Sequence, residues 1–210
     1  AMVYTSLLGE LGFVDPYVGS IINIAARILP KQELRNILDD IVDSMLNIGV
    51  EPWLCLCYGN SLYTDSAKKV FGAVGCPPIK TEEERKAWSS YVKATVTHFK
   101  GRVRYYEVWN EPDGRWCWKH GPDAKELGNF IIDTAKACKE ADNECKVIGF
   151  ATCMADKDYL EKAAQTGCLD YIDAVSYHAY ATGEDGFKHN FDVYKRFLES
   201  NGKNIPIIQG

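Results

Sequence analysis

No apolar run in these 210 residues approaches the roughly 20 needed to cross a bilayer as a helix. The greasiest stretch, Val18 to Leu29, is interrupted by Asn23 and Arg27. It also lacks the charged start and small-residue cleavage site of a signal peptide, so cytoplasmic and secreted locations both stay open. Basic residues do not cluster, and 24 Lys and Arg are outnumbered by 29 Asp and Glu, for a net charge of −5. Neither a membrane nor nucleic acid is an expected partner. No Gly-x-Gly-x-x-Gly or Gly-x-x-x-x-Gly-Lys-Ser/Thr motif follows any strand-like run, which removes support for a nucleotide-binding open sheet. The eight cysteines include no Cys-x-x-Cys pair, so zinc and thioredoxin-like chemistry lack support, and no cofactor or metal is expected. Cys55 and Cys57 alternate on one strand face, as buried packing thiols do. Cys76 and Cys117 both fall in loops that follow strands, which leaves an oxidised pair open.

What is present is an ordinary globular composition, 46% hydrophobic and 25% charged, long enough to bury one sizeable core. The reading is a single domain over residues 1–210, with 1–30 unassigned and 31–210 built of strand–helix repeats. Leu34, Ile37, Leu38, Ile41, Val42 and Met45 mark a helical face that Gly49 stops. Val50 to Cys57 reads as a strand. Thr81 with Glu84 has the spacing of a capping box and opens a helix with Trp88, Tyr91, Val92, Val96 and Phe99 inward. Val103 to Trp109 is the next strand. A helix over about Asp123 to Ala141 turns Leu127, Phe130, Ile131, Ala135 and Cys138 inward. Then come a strand at Lys146 to Ala151, a helix near Asp158 to Gln165, a strand at Ala174 to His178, a helix over about Phe191 to Glu199, and a strand at Ile205 to Gln209. This alternation predicts an α/β fold with a parallel sheet, either a closed barrel or an open doubly wound sheet.

Polar and aromatic residues gather just after the strands: Tyr58 and Asn60, then Asn110 and Glu111, then His178 and Tyr180. Clustering at one rim favours the (β/α)8 barrel, in which chemistry sits at the C-terminal strand ends. The most informative stretch is Tyr105 to Pro112, Tyr-Tyr-Glu-Val-Trp-Asn-Glu-Pro. Proline cannot donate to a ladder, so the strand should stop near Glu111 and leave a carboxylate beside an amide. Trp116 and Trp118 lie in the following loop. His98, His120 and His189 read as surface or loop residues.

Trp109-Asn110-Glu111-Pro112, followed two strands later by Val175-Ser176-Tyr177-His178-Ala179-Tyr180, resembles the retaining glycoside hydrolases built on (β/α)8 barrels. Within that clan the chain is most similar to family 39, the β-xylosidases and α-L-iduronidases, over roughly residues 35 to 210. The resemblance implies that Glu111 is the general acid/base ending the family's fourth strand and that Asn110 binds the sugar 2-hydroxyl. It further implies hydrolysis of O-glycosidic bonds in a glycoside, oligosaccharide or polysaccharide. His178 and Tyr180, with Tyr58, Asn60, Trp116 and Trp118, would then contact the substrate. In a complete enzyme Glu111 must begin protonated, its pKa raised by a second, ionised carboxylate.

The pattern also departs from the family's. The nucleophile of the clan is a Glu ending the seventh strand, and here that strand reads Ile205-Pro206-Ile207-Ile208-Gln209-Gly210. The nucleophile is therefore expected just beyond residue 210, with the eighth strand absent. Residues 1–30 do not resemble the family's opening strands, and a full barrel takes about 250 residues. The expectation is an incomplete barrel: a piece of a longer reading frame, or a chain with a wrongly assigned start. Such a chain alone is expected not to turn over glycosides. The competing readings are a non-catalytic carbohydrate-binding barrel or inactive fragment, and an unrelated barrel lyase or isomerase. The last would need a phosphate loop or metal ligands that the sequence does not offer.

Overall fold

A computed structural model describes residues 2–5, 31–60, 63, 75–178, 180 and 183–210; for 2–5 and 31–35 it gives the course of the backbone alone. The elements are β1 (Met2–Thr5), α1 (Lys31–Asn47), β2 (Trp53–Leu56), α2 (Glu82–Phe99), β3 (Tyr105–Val108), α3 (Ala124–Ala141), β4 (Lys146–Thr152), α4 (Lys157–Ala164), β5 (Ala174–Tyr177), α5 (Glu184–Ser200) and β6 (Ile207–Gln209). A 3-10 turn at Cys168–Asp170 leads into β5.

The six strands among the described residues form one sheet in sequence order, and every neighbouring pair is parallel. A doubly wound sheet reverses its strand order at a switch point; this one never does, so it is the wall of a barrel. That wall spans six of the eight strands a closed barrel requires, and the fold is an incomplete (β/α)8 barrel. Because all strands run the same way, the segments after Leu56, Val108, Thr152, Tyr177 and Gln209 emerge at one rim.

The helices form where the sequence signals them. Thr81 caps α2 with its hydroxyl on the Glu84 N–H (3.1 Å), while the Glu84 carboxylate returns to the Thr81 N–H (3.1 Å). Trp88, Val92, Val96 and Phe99 are buried on the inward face. Asp123 caps α3 by accepting from the Lys125 and Glu126 N–H groups. Leu127, Phe130, Ile131, Ala135 and Cys138 all lie in the core. Burial of each such aliphatic or aromatic side chain contributes about 1.5–3 kcal/mol.

Three elements differ from the sequence reading. β1 pairs with β2 although residues 1–30 show no strand pattern; four residues of Met-Val-Tyr-Thr are too few for alternation to stand out. Among the described side chains of α1, which do not include Leu34, only Leu38 and Val42 are buried, whereas Ile37 and Ile41 are exposed, so this part of its apolar face is narrower than the periodicity suggests. The helix α5 begins at Glu184 rather than near Phe191. Glu184 and Asp185 fill its first turn, where acidic groups favour the positive end of the helix.

Candidate active site at the C-terminal strand ends

The chain leaves β3 through strained backbone. Trp109 has φ 63° and Glu111 φ 47°, both in the left-handed region that side chains avoid. The neighbouring strand matches it, with Phe150 at φ 77° and Ala151 at φ 47° beside a register shift between Phe150 and Thr152. The two strand ends are joined by the Glu111 N–H, which donates to the Ala151 carbonyl (2.9 Å). Strain of this kind persists only where the surroundings over-determine it, and it concentrates at functional sites.

The surroundings here are an aromatic cluster and a tightly folded loop. Trp109 turns into the helix layer against Trp88, Trp118, Phe130 and Tyr58. Its indole N–H donates to the Cys117 carbonyl (2.8 Å), and the Asn110 amide donates to the Cys117 sulfur (3.3 Å). The Asp113 carboxylate accepts from the N–H groups of Cys153 (2.9 Å) and Met154 (2.8 Å), tying this loop to the one after β4. With its neighbours locked on both sides, Glu111 is aimed at the rim.

Glu111 meets His178. The carboxylate Oε1 lies 3.4 Å from His178 Nδ1, and Oε2 accepts a 2.5 Å hydrogen bond from the indole N–H of Trp116. Trp116 is 56% exposed, and its ring lies so close over Gly114 that a Cβ there would stand 2.4 Å from the indole. Below His178 is Glu107, fully buried, with Oε1 3.8 Å from His178 Nε2 and accepting from the Ser176 hydroxyl (2.5 Å). Gly210, at the end of β6, packs on the same imidazole, where an added Cβ would lie 2.9 Å from Nε2.

The electrostatics follow from this line of groups. Burial works to lower the His178 pKa, but the Glu107 and Glu111 carboxylates outweigh it and push the imidazole up to about 9. Contact with His178 holds Glu111 below its ordinary value against the opposing effect of burial, and Trp116 adds to the lowering. This is opposite to the raised value expected of a general acid, because the group facing Glu111 is a cation rather than a second carboxylate.

The remaining expected site residues divide. Tyr180 is exposed at the rim after β5, and Asn60 is half-buried after β2. Tyr58 is buried, edge-on to Trp109. Trp118 is fully buried in the aromatic cluster, its N–H on Glu126 (3.3 Å), so it offers no face to a sugar. The pair of tryptophans thus splits: Trp116 is at the site, and Trp118 is in the core. Glu107 was not anticipated from sequence. Its signal was a charged residue at an inward strand position, where an apolar side chain is the rule. None of the eight cysteines is in a disulfide, Cys76 and Cys117 included.

Among the described residues no cluster of three or more His, Cys, Asp or Glu could hold a metal ion, and no helix is long and apolar enough to cross a membrane. A cavity of about 380 Å³ lies at the opposite, N-terminal end of the strands, lined by Trp53, Tyr105, Lys146 and Asp173. That face of a barrel serves stability rather than chemistry.

A parallel, singly wound wall with its polar groups gathered at the C-terminal rim defines the class: a (β/α)8-type barrel. The chain belongs to glycosyl hydrolases family 39, whose family model matches residues 34–200. It is 30% identical over 158 residues to a curated β-xylosidase of Caldicellulosiruptor saccharolyticus, a match covering 69% of this chain and 30% of that protein. Among solved structures it resembles a family 39 enzyme from Xanthomonas axonopodis pv. citri (TM-score 0.67, 22% identity, 82% of this chain and 38% of that one). It also resembles a monomeric β-xylosidase from Caulobacter crescentus (TM-score 0.65, 21% identity, 81% and 39%). The chain therefore spans about a third of the length of these relatives.

Proposed function

We propose that this chain supplies the acid/base half of a retaining glycoside hydrolase, with Glu111 as the proton-transferring carboxylate. The observation that carries the reading is the aim of Glu111 at the rim, held between the His178 imidazole at 3.4 Å and the Trp116 indole N–H at 2.5 Å. Cleavage of a glycosidic bond needs a donor for the leaving oxygen and a second carboxylate about 5–5.5 Å away to attack the anomeric carbon. Glu111 gives its proton to the leaving oxygen as the C–O bond breaks. It then takes a proton from the water that releases the sugar from the nucleophile.

In a longer chain continuing β6, the residue after Gly210 enters beside His178, because Gly210 already touches that ring. A Glu there is the nucleophile this reading requires. Its negative charge offsets the pull of His178 and returns Glu111 towards the protonated form. Asn110 binds the sugar 2-hydroxyl, exchanging its contact with Cys117 for one with substrate. Trp116 stacks on a sugar ring, and Tyr180 and Asn60 add contacts at the rim. β-Xylosides are the first substrates to test, since the relatives named above include β-xylosidases.

The test is made with the product of the whole reading frame. Proton NMR of an aryl β-xyloside digest should show the β-anomer as the first sugar released. Release of the α-anomer first would contradict retention. No hydrolysis of any aryl glycoside would leave the carbohydrate-binding barrel as the better reading.

A further inference from the structure

The imidazole of His178 stands between two carboxylates, one against each ring nitrogen. Nδ1 faces Glu111 at 3.4 Å and Nε2 faces Glu107 at 3.8 Å. A neutral imidazole carries one N–H and one lone pair, so in either tautomer it would turn a lone pair on a carboxylate. Only the imidazolium, with a proton on both nitrogens, suits both neighbours.

Glu107 is the less ordinary partner. It is fully buried on a central strand, and among the described residues its Oε2 has no hydrogen-bond partner, as is also true of His178 Nε2. An uncompensated buried carboxylate is costly, and the Ser176 hydroxyl alone does not balance a charge. Among the described residues, the other titratable groups nearby do not change the count. Cys55 lies beside Glu107, and Cys117 and Cys153 lie near Glu111; burial pushes all three thiols up, Cys117 to about 12, so they stay neutral.

We propose that Glu107 is a positioning residue: its buried carboxylate keeps His178 doubly protonated and fixes the ring so that Nδ1–H is presented to Glu111. The role in catalysis rests on Glu111 being the acid/base. The arrangement itself does not, and it can be tested on the 210-residue chain without any hydrolysis.

The experiment is an NMR pH titration of the histidine ring protons. The His178 signal is identified among the four histidines by its loss in His178→Gln. Wild-type His178 should titrate near pH 9. In Glu107→Gln, which keeps the shape and removes the charge, the midpoint should fall by at least about one pH unit. Glu107→Asp, which keeps the charge, should restore part of the loss. A midpoint in Glu107→Gln equal to wild type would overturn the proposal, as would a wild-type midpoint at or below the ordinary 6.5. If Glu107→Gln does not fold, Glu111→Gln decides. With Glu107 still in place His178 must continue to titrate well above 6.5, and a drop to that value would assign the charge to Glu111 alone. A wild-type whole protein that hydrolyses no glycoside, while His178 titrates near pH 9 and its midpoint falls in Glu107→Gln, would count against the acid/base reading and leave this one standing.

Discussion

Glu111 is held by two different donors, and they have separable consequences. His178 is a charged neighbour; Trp116 is a neutral N–H whose ring also faces solvent. Both hold Glu111 below its ordinary value. Replacing Trp116 with Phe keeps an aromatic face and removes the N–H. Glu111 then loses one stabiliser of its anion, and its pKa rises. A general acid works only while protonated, so the alkaline limb of kcat/KM should move to higher pH in the whole protein. An unmoved limb, with only KM changed, would make Trp116 a sugar platform and nothing more. Glu107 shows where residue-level reading stops. It stands inside the octapeptide that reveals Glu111, but its partner His178 lies 71 positions on, as the numbering shows, and only folding makes them neighbours.

At the scale of elements, local chemistry was legible wherever it was self-contained. Thr81 and Glu84 announce α2 three residues apart, and both hydrogen bonds of the box form. Thr81→Ala should therefore destabilise the chain by about 1 kcal/mol, lowering the melting midpoint by about 2–4 °C. A change under half a degree would mean that α2 is held by packing alone. The start of α5 was harder to see because Gly183 caps it without a side-chain hydrogen bond. Its first turns also carry few buried apolar residues: Tyr194, Phe197 and Leu198 lie near its far end. The exposure of Ile37 and Ile41 could not be read from periodicity, which gives a helix an apolar face but not the neighbour that covers it. Likewise Trp116 and Trp118 are two positions apart and chemically alike. The turn after Glu111 sends one to the rim and the other under Phe130, through hydrogen bonds from the Cys117 and Trp118 N–H groups to the Gly114 carbonyl.

For the whole molecule, the strand order carries the most information. Six parallel strands in sequence order put Asn110-Glu111, His178 and Gly210 on one rim although they come from three different strands. The sequence motif supplied the residues, and the winding of the sheet supplied their proximity. What the account claims of the complete enzyme is that Glu111 is its general acid. The most direct measurement compares Glu111→Gln with wild type, in the product of the whole reading frame, on two β-glycosides differing only in leaving group. With a poor leaving group the rate of glycosidic cleavage should fall by about 10²–10⁴-fold. With a very good leaving group, which departs without protonation, the same step should fall far less. Equal losses on both substrates, or no loss on either, would contradict the account and leave Asn110-Glu111-Pro112 as a structural turn.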